Sequence, residues 1–125
     1  MTTSRAPITS HVLDTALGRP ARNVGVRLDR LDAAGAWTTR GRAVTDDDGR
    51  AAFLAGEGAT ASGATNGPAA GTYRVTFDTG AYFAASQRPV FYPWVDVVFR
   101  IDDGREHFHI PLLLSPFGYS TYRGS

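Results

Sequence analysis

Three histidines are the residues of this sequence best suited to acid–base chemistry. They are His11 near the amino end and His107 and His109 near the carboxyl end. Imidazole has an ordinary pKa close to neutral pH, so it can take up and return a proton under physiological conditions. A single histidine is more often structural than catalytic, so none of the three predicts a mechanism alone.

The residue types that are missing restrict the chemistry further. The chain contains no cysteine, and all 13 of its basic residues are arginines. Thiolate nucleophiles, zinc–thiolate sites, Schiff bases and P-loop lysines are therefore excluded. The Gly-x-Ser-x-Gly elbow of serine hydrolases is also absent. Histidine, arginine, the carboxylates and the hydroxyl side chains remain as candidate catalytic groups.

A metal site is the first alternative for the histidines. The His-x-His pair at 107 and 109 would place two imidazoles on one side of a strand, a geometry that zinc accepts. The spacing indicates no third ligand, so we expect neither a metal nor another cofactor. The run from Asp46 to Asp48 is more typical of a solvated turn than of an acid pair.

The carboxyl-terminal segment has an unusual composition for a chain end. Residues 115–125 read Ser-Pro-Phe-Gly-Tyr-Ser-Thr-Tyr-Arg-Gly-Ser. Disordered tails are poor in aromatic residues, whereas this one contains Phe117, Tyr119 and Tyr122. We therefore predict an ordered tail that lines a pocket.

Length and charge limit the class of protein. The 125 residues suffice for one domain, 1–125, and 42% of them are hydrophobic. The formal net charge is +1 and the arginines are spread along the chain, so we expect no nucleic-acid partner and no membrane-surface patch. Residues 1–10 lack a signal-peptide pattern, and no run has membrane-spanning length. We expect a cytoplasmic protein.

The elements that must position the histidines are strands. Apolar residues alternate with polar ones at period two, and helical periodicity is scarce, which predicts an all-β fold with one short helix at 79–86. The predicted strands are 8–14, one around 24–29, 37–44, 72–78, 90–92, 95–101 and, as the last, 107–114. We expect flexibility at 1–6 and a mobile loop at 56–71, which is almost wholly Gly, Ala, Ser and Thr.

Seven or eight short strands predict two packed antiparallel sheets, because a single open sheet would leave an apolar face in water. In the last predicted strand, His107 and His109 lie on one face and Phe108 and Ile110 on the other. Pro111 has no amide donor, so we expect this strand at a sheet edge or with a bulge.

Several motifs in the chain resemble the 5-hydroxyisourate hydrolases, also called transthyretin-related proteins. They are Ser-His-Val-Leu-Asp at 10–14 with Gly-Arg-Pro-Ala at 18–21, Thr45 to Arg50 ending in Asp-Gly-Arg, and His109 through the final Tyr-Arg-Gly-Ser. The resemblance covers nearly the whole chain. The terminal tetrapeptide is its most specific element, because transthyretin shares the fold but lacks it. The 56–71 segment is longer than the usual family loop, and Arg88 occupies a turn that is often small and neutral.

The resemblance implies a transthyretin-like two-sheet sandwich and a set of functional residues. The implied catalytic residues are His11, Arg50, His109 and Ser125, and the implied substrate-binding residues are Tyr122, Arg123 and Gly124. His107 lies outside the family match, and we interpret it as structural.

The implied reaction is the hydrolysis of 5-hydroxyisourate to 2-oxo-4-hydroxy-4-carboxy-5-ureidoimidazoline in urate degradation, without a metal. Either His11 or His109 would activate the water. Arg50 would stabilise the negative charge on the carbonyl oxygen, and Ser125 would relay a proton to the leaving nitrogen.

The resemblance further implies a homotetramer with its active sites at the dimer–dimer interface. Two other functions stay open from the sequence. One is a transthyretin-like carrier that binds a small ligand without transforming it, and the other is a structural β-sandwich module.

Overall fold

The computed structural model of the chain describes residues 6–53 and 67–125. The segments predicted to be flexible, 1–6 and 56–71, fall largely outside these residues. In the described part no helix is long and apolar enough to cross a membrane.

Nine strands and one helix form in the described part of the chain. In order they are β1 Ile8–Asp14, β2 Arg19–Pro20, β3 Gly25–Leu31, β4 Trp37–Val44, β5 Arg50–Phe53, β6 Gly71–Phe77, α1 Thr79–Ala85, β7 Val95–Ile101, β8 Phe108–Ser115 and β9 Gly118–Thr121. The strands predicted from period-two alternation at 8–14, 37–44 and 95–101 have the bounds expected. The single helix is confirmed as well, one residue shorter than predicted.

The strands form two sheets, which confirms the predicted sandwich. One sheet has the order β2-β1-β8-β9, with β5 paired to β1, and the other has the order β4-β3-β6-β7. All pairings are antiparallel except that of β1 with β8, which is parallel. A parallel pair brings the two strands that carry the histidines side by side in the same direction.

The core lies between the two sheets and consists of inward-facing apolar side chains. Every second residue of β1 is buried, as are Tyr73, Val75 and Phe77 of β6. Phe108, Ile110, Leu112 and Leu114 of β8 are also buried. Because side chains alternate along a strand, burial of these residues forces His109 to the outer face, as predicted.

The carboxylate of Asp14, at the end of β1, holds both the helix α1 and the turn that follows it. Asp14 is fully buried and accepts hydrogen bonds from Tyr82 Oη at 2.6 Å and from Arg88 Nη2 at 2.7 Å. Burial alone would raise the pKa of Asp14, but the hydrogen bonds from Arg88 and Tyr82 outweigh it and lower the pKa. Arg88, unusual for its turn in the resembled family, is thus what neutralises this carboxylate.

The strand predicted at 90–92 is wrong. This segment forms bends, and Val90 and Phe91 are 45% and 62% exposed. It lies between Pro89 and Pro93, which lack amide donors and restrict the residues before them, so it has little capacity for ladder hydrogen bonds.

The strand at 107–114 was wrongly predicted to be the last strand and to lie at an edge. It forms β8, which is internal because β9 follows a tight turn and pairs with it. The ladder is interrupted opposite Pro111 but resumes in the same register, with Leu112 opposite Thr121 and His109 opposite Gly124. Pro111 therefore interrupts the β8–β9 pairing once, and it does not introduce a bulge.

Candidate active site

The outer face of the five-stranded sheet collects polar side chains from three adjacent strands. In the β1–β5 register His11 is opposite Arg50, and in the β1–β8 register Thr9 is opposite His109. All four residues occupy outward positions of their strands, so the topology alone places two imidazoles and a guanidinium on one surface.

His109 is fixed by a hydrogen bond to its neighbouring strand. Its Nδ1 lies 2.8 Å from Thr9 Oγ1, and its ring is nearly parallel to that of His107, with centroids 6.4 Å apart. The remaining ring nitrogen, Nε2, has no partner among the described residues. Burial lowers the pKa of His109, and the charges of His107, His11 and Arg50 lower it further. The imidazole therefore stays neutral, and able to accept a proton, to a lower pH than usual.

His11 is fixed by the turn that precedes β5. Its Nε2 lies 2.8 Å from the carbonyl oxygen of Asp48. A carbonyl oxygen only accepts hydrogen bonds, so Nε2 must carry a proton, and the neutral imidazole has its lone pair on Nδ1. The turn thus selects one tautomer of His11.

The turn before Arg50 is organised by Asp46 and Gly49. One oxygen of the Asp46 carboxylate accepts hydrogen bonds from the amides of Asp48 at 2.9 Å and Arg50 at 3.0 Å. The hydrogen bond from the Arg50 amide is the largest cause of the lowered pKa of Asp46. Gly49 has a φ of +77° and leaves no space for a Cβ, which would lie 2.5 Å from the Val12 carbonyl oxygen. Asp46 therefore serves to set the turn that presents Arg50.

The guanidinium of Arg50 has no hydrogen bond or ion pair with any described residue. It lines an open groove of about 560 Å³ together with His109 of β8, His107 just before β8, and Ser125. The lining residues are Thr9, Ser10, Ala43, Val44, Asp46, Arg50, Ala51, Ala52, His107, His109 and Ser125. A cation without a partner beside a neutral imidazole can bind an anionic or carbonyl group of a ligand.

The carboxyl terminus folds back onto His109, as predicted for an ordered tail. The Gly124 amide donates to the His109 carbonyl oxygen at 2.8 Å, and the two residues form an isolated bridge. A Cβ on Gly124 would lie 2.5 Å from His109 Cδ2, so this position accepts only glycine without displacement. Ser125 follows Gly124 and lines the same groove as His109.

Tyr122 and Arg123 do not line the groove that contains Arg50. Arg123 Nη2 bonds Glu106 Oε1 at 3.0 Å, and its guanidinium stacks 4.7 Å from the Phe108 ring centroid. Both residues line a second hollow of about 250 Å³ between β7 and the β8–β9 hairpin, and His109 lines this hollow as well as the groove. Of the seven residues implied by the resemblance, His109, Arg50 and Ser125 share the groove, while His11 and Gly124 adjoin it.

Sequence reasoning missed Thr9 and set His107 aside. The Thr9 hydroxyl lies 3.1 Å from His107 Nε2 as well as 2.8 Å from His109 Nδ1, so it bridges the two imidazoles. The signal available was alternation, because Thr9 is two residues before His11 and must share its face. Threonine is common in strands, so its type alone gave no reason to single it out.

The alternative of a metal site requires at least three ligating side chains within reach of one ion. Among residues 6–53 and 67–125, no group of three or more His, Asp or Glu side chains is arranged to hold a metal ion. The groups in the groove that can take part in chemistry are the histidine imidazoles, which can transfer protons, and the Arg50 guanidinium, which is a cation.

Comparisons with known proteins agree over the length of the chain. A family model described as HIUase/Transthyretin matches residues 8–124. The 5-hydroxyisourate hydrolase of Mus musculus is 42% identical over 126 residues, covering all of both chains. The structure of the Klebsiella pneumoniae 5-hydroxyisourate hydrolase matches with a TM-score of 0.75 and 35% identity over 94% of this chain and 98% of that one. Sea bream transthyretin in complex with thyroxine matches with a TM-score of 0.82 and 34% identity over 94% of each chain.

Proposed function

This chain belongs to the HIUase/Transthyretin family, and on that premise we propose that it hydrolyses 5-hydroxyisourate to 2-oxo-4-hydroxy-4-carboxy-5-ureidoimidazoline. The observation that carries the proposal is the groove lined by Arg50, whose guanidinium has no partner among the described residues, by the His109 imidazole and by Ser125. These are the groups needed to activate water and to stabilise an oxyanion.

His109 is the general base in this proposal. Its Nε2 takes a proton from water as the water oxygen forms a bond to the ring carbonyl carbon of the substrate. The lowered pKa of His109 keeps the imidazole neutral and therefore competent at physiological pH. A positioned base typically contributes about a hundred- to ten-thousand-fold to the rate.

Arg50 stabilises the tetrahedral intermediate. Its guanidinium is a permanent cation with a fork of N–H donors, and no described residue occupies those donors. When the carbon–nitrogen bond of the ring breaks, the leaving nitrogen needs a proton. The Ser125 hydroxyl, beside His109, relays the proton that the imidazole had accepted.

His11 orients the substrate from the neighbouring strand. With its Nε2–H donated to Asp48, His11 presents the lone pair of Nδ1, which can accept an N–H of the substrate ring. Gly124 holds the terminus against His109. In this proposal the turn, β1 and the tail together hold the functional side chains in place before the substrate binds.

We further propose a homotetramer in which neighbouring subunits complete the site at a dimer–dimer interface. The groove is open in a single chain, and a small sandwich gains a water-poor pocket by association. Two of the edge strands of the sandwich, β7 and β9, carry exposed apolar side chains that suit burial against a second copy. Among them are Val98 on β7, Tyr119 on β9, and Phe117 and Tyr122 beside β9. Association would also enclose Tyr122 and Arg123, which line the second hollow together with His109.

A carrier without catalytic activity is the second candidate, because the structural match to sea bream transthyretin has the higher TM-score. The fold alone does not separate the two functions. The site favours hydrolysis, since a carrier has no need of an uncompensated cation beside two imidazoles. Cytoplasmic location remains part of the proposal and is checked by fractionating cells that express the tagged chain.

The decisive experiment follows the ultraviolet absorbance of 5-hydroxyisourate formed in situ from urate. We expect the protein to accelerate the decay, and His109→Asn and His11→Asn each to lower kcat/KM by about a hundred-fold or more. Circular dichroism and light scattering of the variants check fold and assembly. Decay at the spontaneous rate together with measurable binding of the substrate or product would establish the carrier instead.

A further inference from the structure

His107 and Thr9 are the polar residues of the groove that the proposed mechanism leaves unused. Thr9 lies on β1. His109 lies on the neighbouring strand β8, and His107 lies just before β8 begins. The Thr9 hydroxyl is within hydrogen-bond distance of His107 Nε2 at 3.1 Å and of His109 Nδ1 at 2.8 Å. No other side chain is within hydrogen-bond distance of His109 in the described part of the chain.

The hydrogen-bonding capacity of a hydroxyl couples the two imidazoles. A threonine hydroxyl has one proton to donate and lone pairs to accept with. It can therefore donate to only one of the two ring nitrogens, and to keep both bonds the other ring must donate to it. When the proton of neutral His109 is on Nδ1, this N–H donates a hydrogen bond to Thr9 Oγ1. The Thr9 hydroxyl then donates its own proton to a hydrogen bond with His107 Nε2. In this arrangement the free Nε2 of His109 has its lone pair directed away from Thr9 and available to a ligand.

We propose that His109, Thr9 and His107 form a proton relay in which His107 holds the proton taken from the attacking water. As water adds to the substrate carbonyl, its proton passes to His109 Nε2. The proton on His109 Nδ1 passes to Thr9 Oγ1, and the Thr9 proton passes to His107 Nε2. The reverse movement returns one proton through His109 to the leaving nitrogen when the carbon–nitrogen bond breaks. The relay rests on the proposed hydrolysis and assigns His107 and Thr9 as positioning residues that act through His109.

The arrangement of charge supports this direction of transfer. His109 faces the charges of His11 on β1 and Arg50 on β5, in addition to His107 on its own side. If His109 became positively charged during the reaction, the positive charge of Arg50 would repel it. His107 is one ring farther along the sheet, with the centroids 6.4 Å apart, so the relay moves the new charge away while leaving His109 neutral.

The first test uses substitutions that separate the hydroxyl from the shape of the side chain. Thr9→Val is nearly isosteric but has no hydroxyl, whereas Thr9→Ser keeps the hydroxyl. We expect Thr9→Val and His107→Gln each to lower kcat by about ten- to a hundred-fold with KM changed by less than about threefold, and Thr9→Ser to keep kcat within about threefold of the parent. Equal losses in Thr9→Val and Thr9→Ser, or full activity in Thr9→Val, would overturn the relay.

A double substitution and a spectroscopic readout complete the test. Removing one member of the relay already stops proton transfer along it. The double variant Thr9→Val with His107→Gln should therefore lose no more kcat than either single variant, and additive losses in kcat contradict the proposal. Nitrogen-15 shifts of the imidazoles should show His109 protonated on Nδ1 in the parent and Thr9→Ser, and a changed tautomer population in Thr9→Val. Unchanged shifts in Thr9→Val oppose the relay. If the parent protein lacks hydrolase activity, the proposed function fails, and the shifts still decide whether the three side chains are coupled.

Discussion

The two sheets carry arginines on their outer faces but use them differently. On the four-stranded sheet, Arg27 and Arg74 both bind the carboxylate of Asp29, at 3.1 and 2.9 Å. The Asp29 side chain is only 2% exposed, and Thr39 completes its hydrogen bonds. On the five-stranded sheet, the Arg50 guanidinium has no partner in the described residues. Charge that is balanced within the chain stabilises the fold, and charge that is left unbalanced remains for a ligand.

The local sequence explains why the two faces differ. Asp29 sits opposite an irregularity of β4, where the register passes from Leu28–Gly41 to Asp29–Thr39 and β4 has one extra residue. Its carboxylate binds Arg27 of its own strand and Arg74 of the neighbouring β6. Burial would raise the pKa of Asp29, but the hydrogen bonds from Arg74, Thr39 and Arg27 lower it overall. Asp46, four residues before Arg50, instead binds backbone amides of the turn. Its carboxylate is engaged there, and the guanidinium stays free.

Removing the unbalanced charge should have the largest effect on activity. We expect Arg50→Ala to lower kcat/KM by about a hundred- to a thousand-fold, because the oxyanion loses its cation. The free energy of unfolding should change little, since this guanidinium makes no internal bond. Arg42→Ala, an exposed arginine on the other sheet, is the matched control and should keep full activity. Steady-state kinetics with urea unfolding measure both quantities, and equal kinetic losses in the two variants would refute the distinction between the faces.

Removing the balanced charge should have the opposite outcome. Asp29→Asn leaves two arginines without their anion, and we expect it to cost about 3 kcal/mol of unfolding free energy. The melting temperature should fall on the order of 10 °C, while kcat/KM below the transition stays near that of the parent. Asp102→Asn removes an acid from an exposed pair with Arg100 and should change stability by less than about 0.5 kcal/mol. Comparable stability in Asp29→Asn and Asp102→Asn would show that the buried pair is not structural.

The contact between the tail and His109 gives a smaller effect. Gly124→Ala places a methyl group against the imidazole, so the terminus must move away from the groove. We expect kcat/KM to fall about ten-fold, the cost of misplacing a group by a fraction of an ångström in a pre-organised site. Gly118→Ala in β9 has only an ordinary 3.7 Å contact with Ser115 Oγ and serves as the control. A fully active Gly124→Ala variant would show that the position of the terminus is unimportant.

Alternation and motif resemblance predicted much of the fold and of the site. Period two placed the core residues of β1, β6 and β8 and so the outward faces of the histidines. It did not predict β5 and β9, because strands of four residues with few apolar side chains give too short a pattern. It overpredicted 90–92, where prolines on both sides prevented pairing. Apolar composition indicated burial there, whereas the backbone hydrogen-bonding capacity decided the outcome.

The hydrogen-bond and ring partners of individual side chains could not be predicted from the sequence. The direction of Arg123 depends on Glu106, 17 residues earlier, and on the Phe108 ring, neither of which the tetrapeptide motif includes. The bridge from Thr9 to both imidazoles spans about 100 residues and exists only because β1 and β8 pair in parallel. Pairing of distant strands is set by the global topology, and no local pattern reports it.

The smallest expected effect concerns the pKa of His109. Burial and the neighbouring charges of His107, His11 and Arg50 hold it below the ordinary value. A lowered pKa means that the neutral form persists to lower pH, so the acid limb of the kcat/KM profile should lie below pH 6.5, the ordinary value for histidine. Arg50→Ala removes one positive charge and should raise the pKa of His109, which an NMR titration of its ring protons detects without need of activity. Arg42→Ala should leave that pKa unchanged, because its charge lies on the opposite sheet. A His109 titration that is the same in Arg50→Ala and the parent would mean that the free guanidinium acts on the substrate alone and does not tune the base.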